Sequence, residues 1–392
     1  MNGLGYVGAG LMQWGTTNID DRIVNPKGNL SDDDVRELWT ACIKWNITFF
    51  DTAEGYGGGT SELRIKQVRD WYDQANKYNH SNSQKNDRKA DQTNTGRVAG
   101  DQNDNGDSGR KIIVATKYLP TLWRWTRRSF FSAVRGSMNR LGVDKIDLYF
   151  IHTPIHPLPI ETHVQWACDA VDAGLVKEIG ISNCNADLTR RAEAIAVKNG
   201  KHISANQIML NLLVWNSPNH QETVRTCHEL GIQIVAYSPI GQGLLTDGLT
   251  ESKFRGIRAV KMTGVTMDQL LPLRQRIKTL SEKYKSTMAQ VCINWVRSKS
   301  ALPLVGIRSV QQIEDVAKSQ HFQLNEEEIK SLDSVSLGLS LFDRPLYRRC
   351  LFVVFISLLQ VMYQTDIWYT KLKKWFVDIR TKLSVANQEH QQ

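Results

Sequence analysis

Residues 47 to 62 read ITFFDTAEGYGGGTSE. The first four are a short, mostly apolar run of β-branched and aromatic side chains closed by Asp51, the pattern of a strand covered on both faces. The glycines mark a turn, and a helical pattern opens at Ser61. Strand, loop and helix in that order form one unit of a parallel α/β protein, so the fold depends on how many more units follow. Further strand candidates are YVGAGLM (6–12), KIIVATK (111–117), IDLYFIH (146–152), VKEIGIS (176–182), ISANQI (203–208), IQIVAYS (232–238) and LPLVG (302–306). Most precede a segment with helical periodicity. Eight such units predict an α/β fold of the (β/α)8 TIM-barrel type rather than an open sheet.

The punctuation between the runs agrees. Ser31 followed by Asp34 predicts a capping box before DDDVRELWTACIKW, and Gly142, Gly174 and Gly231 stop helices just ahead of strands. Two regions break the rhythm, which divides the chain into a barrel over residues 1–338 and a tail over 339–392. Residues 76–109 are Asn, Asp, Ser, Gln, Gly and Lys with little to bury and are expected to be a disordered, low-complexity insertion. The tail contains an apolar segment, CLFVVFISLLQVMY (350–363), flanked by Arg348, Arg349, Lys371, Lys373 and Lys374. A full membrane span needs about 20 apolar residues, so an interfacial anchor or a packed helix fits this segment better.

Composition narrows the function classes. Forty-nine basic against 40 acidic residues leave +9, spread along the chain without a basic block, which speaks against nucleic-acid binding. Cys42, Cys168, Cys184, Cys227, Cys292 and Cys350 are far apart and form no C-x-x-C pair, so neither a zinc site nor a disulfide framework is expected. The N-terminal MNGLGYVGAG is neither a signal peptide nor an Arg/Ser-rich leader. A cytoplasmic protein is expected, with a plastid or membrane-associated one as the alternative.

Two glycine patterns suggest phosphate binding and fail on context. Gly3, Gly5 and Gly8 spell G-x-G-x-x-G but lack a preceding strand, and YGGGTSE lacks the Gly-Lys-Ser/Thr of a Walker loop. What remains are reactive side chains at successive strand ends. Asp51 ends the second strand and Tyr56 lies on the loop beyond it; Lys117 ends the third strand and His152 the fourth. In a (β/α)8 barrel these ends open on one face. A phenol titrates near ~10, and an adjacent ammonium lowers that value, so Lys117 is expected to acidify Tyr56 while Asp51 keeps Lys117 protonated. His152 is placed to orient a carbonyl oxygen. With no nucleophile and no metal ligands, the set suits protonating an oxygen while hydride arrives from a bound cofactor.

These residues resemble the aldo/keto reductase superfamily over nearly all of residues 3–335, the insertion excepted. FDTAEGYGGGTSE, VATKY and DLYFIHTP are similar to the segments carrying its catalytic tetrad. The resemblance implies Tyr56 as general acid, completed by Asp51, Lys117 and His152, and NADPH as cofactor. GISNCN and ANQIML imply Ser182, Asn183 and Gln207 at the nicotinamide amide. AYSPIGQGLLT implies Tyr237 stacked on the ring, with Ser238, Ile240, Gly241 and Leu244 along the pyrophosphate. LPLVGIRSVQQIEDV implies an adenosine-phosphate site of Gly306, Ile307, Arg308, Gln312 and Asp315, with Arg308 favouring the 2′-phosphate.

TLWRW, SPIGQGLLT and LPLRQRIKTLSEKYKSTMAQVCINWV resemble the plant and algal branch. Departures are Val316 where many relatives have Asn, and an N-terminal hairpin that is short or absent. The expected activity is reduction of an aldehyde or ketone, with Trp14, Trp123 and Trp215 as candidates for an apolar substrate pocket. A cofactor-binding regulatory subunit of a membrane complex is the alternative, prompted by the tail. A metal hydrolase lacks a ligand cluster, since His152 and His156 are separated by Pro154 with no carboxylate pair beside them.

Overall fold

The structure, a computed structural model, describes residues 6–15, 30–90, 111–121, 123–154, 158–256 and 265–339. Its centre is a closed barrel of eight parallel strands in chain order. These are β1 (Gly8–Gly10), β2 (Phe49–Asp51), β3 (Ile113–Tyr118), β4 (Ile146–Ile151), β5 (Val176–Ser182), β6 (Ile203–Met209), β7 (Gln233–Tyr237) and β8 (Ala301–Gly306). Every strand expected from the sequence is present. β1 closes the ring, with Gly8 opposite Phe49 on one side and Leu304 on the other.

Side chains alternate across a strand, and here that period positions the site. Phe49, Ala115, Leu148, Phe150, Ala205, Val235, Leu302 and Leu304 form one buried cluster filling the barrel. Two residues further along the same strands, on the same face, stand Asp51, Lys117, His152, Gln207, Tyr237 and Gly306. Gly180 shares this inward face on β5, where a Cβ would lie 2.4 Å from the Phe150 ring, and Ser182 follows it at the strand end. The inward positions change from apolar to polar within one repeat at the C-terminal ends of the strands. Water is excluded below that level and functional groups gather above it.

The opposite faces of the strands pack under a ring of helices. α1 (Asp32–Lys44) follows β1, and its Trp39 stacks on Phe50 of β2 at 4.3 Å between centroids. α2 (Thr60–Ala90), α3 (Arg127–Leu141), α4 (Ile160–Asp172), α5 (Ala186–Lys198) and α6 (Pro218–Glu229) follow β2 to β6 in turn. α7 (Glu251–Gly256), α8 (Met267–Lys283) and α9 (Met288–Ser298) connect β7 to β8. α10 (Val310–Lys318) and α11 (Glu326–Val335) complete the layer. Reciprocal capping boxes start α1 at Ser31, α3 at Thr126, α8 at Thr266, α9 at Thr287 and α11 at Asn325. Gly142 caps α3 in the left-handed conformation, and Gly174 and Gly231 turn the chain after α4 and α6.

The region expected to be disordered from residue 76 begins instead as helix, because α2 continues to Ala90. No glycine or proline interrupts residues 60–90, the next being Gly96, so no helix breaker stands in this stretch. The rest of that insertion, 91–109, lies outside the described residues, as does the tail from 340 onward with its apolar segment. Among the described residues, no helix is long and apolar enough to cross a membrane. Also among them, no group of three or more His, Cys, Asp or Glu is placed to hold a metal ion. Cys42, Cys168, Cys184, Cys227 and Cys292 are buried free thiols.

Candidate active site

Lys117 organises the mouth of the barrel. It is completely buried, and its ammonium donates to Asp51 Oδ2 at 2.5 Å, to the carbonyl of Thr52 at 2.8 Å and to Tyr56 Oη at 3.3 Å. Gln207 donates from Nε2 to the other carboxylate oxygen of Asp51 at 2.7 Å. Burial draws the amine downward, but Asp51 and Tyr56 outweigh it and hold Lys117 above its usual range. The ammonium is therefore the resident form at neutral pH, with all three of its hydrogens engaged. Since it donates to the phenol oxygen, the Tyr56 hydroxyl keeps its own proton to direct elsewhere.

The electrostatics at Tyr56 differ from the expectation that Lys117 makes the phenol acidic. Burial raises it above its ordinary value more strongly than Lys117 lowers it, and Asp51 adds to the rise. An apolar, closed-in site disfavours phenolate, so the side chain stays protonated through the neutral range. Tyr56 sits at the head of a 3-10 turn, Tyr56–Gly59, in which Gly57, Gly58 and Gly59 have φ of 55°, 58° and 97°. The three glycines thus make a left-handed turn that carries the chain from the tyrosine into α2.

His152 lies edge-on to Tyr56, with 5.9 Å between ring centroids. Burial, helped by the charge of Lys117, lowers its pKa to about 3, so the imidazole is neutral. Nδ1 is buried without a hydrogen-bond partner. A neutral ring has one N–H, and a proton on Nε2 avoids burying an unpaired donor at Nδ1.

The second expected set adjoins the first through shared hydrogen bonds. Asn183, at φ 60°, donates from Nδ2 to the His152 carbonyl and to Ser182 Oγ, each at 3.0 Å, and accepts from the Tyr237 hydroxyl at 2.8 Å. Ser182 Oγ donates to the Gln207 carbonyl at 3.0 Å. Beyond β7, Ser238, Gly241, Gln242 and Gly243 have φ of 54°, 58°, 57° and 95°, which folds this loop tightly over the strand ends. Ile240 packs partly against the core, and Leu244 is fully buried in it. The Leu244 side chain therefore faces the core, and its carbonyl accepts from Arg274 at 2.5 Å.

At the end of β8, Gly306 is exposed, Ile307 is buried and Arg308 is half-buried. Ser309 caps α10 by accepting from the Gln312 amide, and Gln312 Oε1 accepts from the Arg308 amide at 2.9 Å. Asp315 accepts from Gln311 at its carboxylate and from Gln290 at its carbonyl. Val316 is buried in the core, so the apolar residue at this position contributes packing. Of the three tryptophans, Trp14 is wholly buried, and Trp215 packs edge-on against Trp295 at 5.5 Å with Lys299 over its face. Only Trp123 stands open at the mouth, 51% exposed.

Three polar groups of this face were missed in the sequence. Asn211 donates to the Ser238 carbonyl at 2.8 Å, tying the loop after β6 to the loop after β7. Glu54, buried, accepts from the half-buried Arg124 at 2.5 Å from Nη1 and 3.1 Å from Nη2, tying the loop after β2 to the loop after β3. Each joins residues remote in sequence, so no local pattern announces it.

A closed parallel barrel with an acid, an ammonium, a phenol and an imidazole at its C-terminal mouth defines a (β/α)8 protein equipped for proton transfer. The chain belongs to the aldo/keto reductase family, a family of oxidoreductases, whose model matches residues 6–337. It is 26% identical over 306 residues to the chloroplastic pyridoxal reductase of Arabidopsis thaliana, covering 77% of this chain and 76% of that protein. It is 28% identical over 304 residues to probable aldo-keto reductase 1 of Glycine max, covering 74% and 76%. Over 206 residues it is 32% identical to aldo-keto reductase str7 of Strobilurus tenacellus, covering 50% and 59%. The crystal structure of the thermostable aldo-keto reductase Tm1743 with the inhibitor epalrestat has the same fold. It superposes with a TM-score of 0.58 at 22% identity, over 85% of this chain and 95% of that one.

Proposed function

We propose that the protein reduces an aldehyde or ketone to an alcohol, with NADPH as the hydride source and Tyr56 as the proton donor. The observation that carries this reading is the ammonium of Lys117. It is fixed by Asp51 and Thr52 and donates to the phenol oxygen, while the phenol proton remains available. As negative charge develops on a carbonyl oxygen, Tyr56 transfers its proton, and the phenolate that results lies beside a cation that stabilises it. His152, neutral at working pH, donates a second hydrogen bond to the same oxygen and sets its orientation.

The donor set fits a nicotinamide dinucleotide. Ser182, Asn183 and Gln207 combine a hydroxyl and two carboxamides beside the tetrad, as recognition of a carboxamide requires. Arg308 and the capped N-terminus of α10 suit a phosphate, with Gly306 and the loop after β7 leading toward them. Ile307 and Leu244 would serve through backbone atoms, because their side chains are buried. When bound, the reduced cofactor supplies hydride to the carbonyl carbon.

The test is Tyr56→Phe assayed against a carbonyl panel that includes pyridoxal, the substrate in the name of the Arabidopsis relative. Loss of the general acid is expected to lower kcat by about 10²–10⁴-fold. The NADPH dissociation constant, read from nucleotide fluorescence, is expected to stay within about twofold. Retained turnover would remove Tyr56 from the donor role.

A further inference from the structure

Glu62, in the first turn of α2, has a fully buried side chain and is no member of the tetrad. Its Oε1 accepts from Thr116 Oγ1 at 2.6 Å, and its Oε2 accepts from Arg140 Nε at 2.6 Å. Thr116 immediately precedes Lys117 on β3, and Arg140 stands in the last turn of α3. Arg140 also donates from Nη2 to Oγ of the buried Ser137 at 3.2 Å. The stem of Arg140 lies on the turn that follows Tyr56. A Cβ added to Gly59, whose φ is 97°, would come 2.6 Å from Arg140 Cδ and 2.7 Å from its Nε. One carboxyl and one guanidinium therefore join the glycine turn, the strand of Lys117 and α3.

Packing alone does not call for this pair. Burial raises the Glu62 carboxyl above its usual range, against the opposing pull of Arg140 and Thr116. Apolar side chains of similar volume commonly give equal or better stability at such a position, whereas charge-assisted hydrogen bonds fix geometry. What they fix here is the most easily lost contact of the site. Lys117 holds Asp51 Oδ2 at 2.5 Å and the Thr52 carbonyl at 2.8 Å, but it reaches Tyr56 Oη at 3.3 Å. The phenol is presented by a turn of three glycines, backbone with little stiffness of its own. A shift of that turn by about 1 Å would leave the Lys117–Tyr56 hydrogen bond unmade. Toward β1 and β2 the turn is pinned by Ser61, whose Oγ donates to the Leu11 carbonyl at 3.0 Å and accepts from Thr52 Oγ1 at 2.7 Å. Toward β3 and α3 it is held through Glu62 and Arg140.

We infer that Glu62 and Arg140 are positioning residues for proton transfer, holding the Gly57–Gly59 turn against β3 so that Tyr56 Oη stays within hydrogen-bond reach of Lys117. The inference rests on the reading of Tyr56 as the proton donor. Both residues act through the turn and the strand and touch no reacting atom. Lysine at position 140 keeps the charge but has no planar fork with which to span Glu62 and Ser137. Methionine at both positions fills a similar volume without ions.

The experiment compares the unsubstituted full-length protein with Arg140→Lys and with the double variant Glu62→Met/Arg140→Met, using the best substrate of the carbonyl panel. It measures the single-turnover rate of NADPH oxidation, the solvent deuterium isotope effect on that rate, the NADPH dissociation constant and the melting temperature. Both variants are expected to turn over about tenfold more slowly, with a larger isotope effect because proton transfer has slowed, and with NADPH affinity within about twofold. The double variant separates geometry from stability, since it is expected to melt within about 5 °C of the unsubstituted protein and still be slow. If it does not fold, Arg140→Lys decides alone. An Arg140→Lys rate within about twofold of the unsubstituted one overturns the inference. So does a slower rate with an unchanged isotope effect, or one accompanied by a parallel loss of NADPH affinity, which is the mark of general loosening. A double variant that folds and turns over at the unsubstituted rate overturns it as well. If the unsubstituted protein reduces none of the panel, the reading of Tyr56 falls and this inference with it. Loss confined to these variants leaves that reading standing.

Discussion

The ring of His152 is a base that the fold keeps uncharged, and this has a cost in acid. Its pKa is lowered to about 3 by burial and by Lys117, against about 6.5 in an unfolded chain. Between these values the unfolded state binds a proton that the folded state refuses, so stability is lost as pH falls from about 6.5 toward 3, at about 1.4 kcal/mol per pH unit. Between pH 6.5 and pH 5 the expected loss is about 2 kcal/mol, absent from His152→Gln. Urea midpoints of the two proteins across that interval provide the check, and parallel curves would show that His152 is solvated in the folded state. The same neutrality leaves the imidazole with a single N–H to donate at neutral pH. It thereby avoids setting a second cation beside Lys117.

At the scale of elements, the strands and their order were legible because each one is a short apolar run bounded by turn residues. The grouping of Asp51, Tyr56, Lys117 and His152 was legible because three of them stand at the ends of successive strands and Tyr56 lies on the loop after the first of these. The cap at Ser31 and the stop at Gly142 were equally local. What sequence could not give was the balance of burial and charge at Tyr56, since both depend on how closely Lys117 and the barrel wall enclose the ring. Nor could it give the pairing of Glu54 with Arg124, which is a contact between loops. Polar composition likewise misled at residues 76–90, a stretch without a helix breaker.

α10 begins at Val310, two residues after Arg308. Helix N-termini leave amides that favour an anion, and Ser309 and Gln312 already hold this one in shape. Arg308 adds a cation whose loss leaves the cap intact. Arg308→Ala is therefore expected to weaken NADPH about tenfold or more, as removal of a charge-assisted contact to a phosphate does, while NADH changes little. Isothermal titration with both nucleotides measures this, and equal weakening of the two would place Arg308 away from the 2′-phosphate.

For the whole molecule, the question is where the barrel ends. After α11 the chain runs back along the loop that follows β6. The Leu337 amide donates to Leu212 at 2.8 Å, the Leu339 amide to Leu213 at 2.9 Å and the Asn216 amide to Leu337 at 3.1 Å. Asn216 also donates from Nδ2 to the Ser336 carbonyl at 2.8 Å. The loop so held contains Asn211, which fastens the loop after β7, and so residues 336–339 support the proposed cofactor side without touching it. A chain ending at Leu339 keeps all of these contacts and is the reference for the comparison. One ending at Val335 loses these four hydrogen bonds to the loop after β6, worth about 0.5–1.5 kcal/mol each, less the entropy regained by the freed residues, for a net loss of about 2 kcal/mol. In a barrel of this size that corresponds to a melting temperature lower by roughly 4 °C, and NADPH binding is expected to weaken with it because the loop after β7 loses its support. Scanning calorimetry and nucleotide titration on the two truncations separate the contributions. If the Val335 chain melts lower yet binds NADPH unchanged, the strap stabilises the barrel alone, and the coupling through Asn211 to the site is wrong.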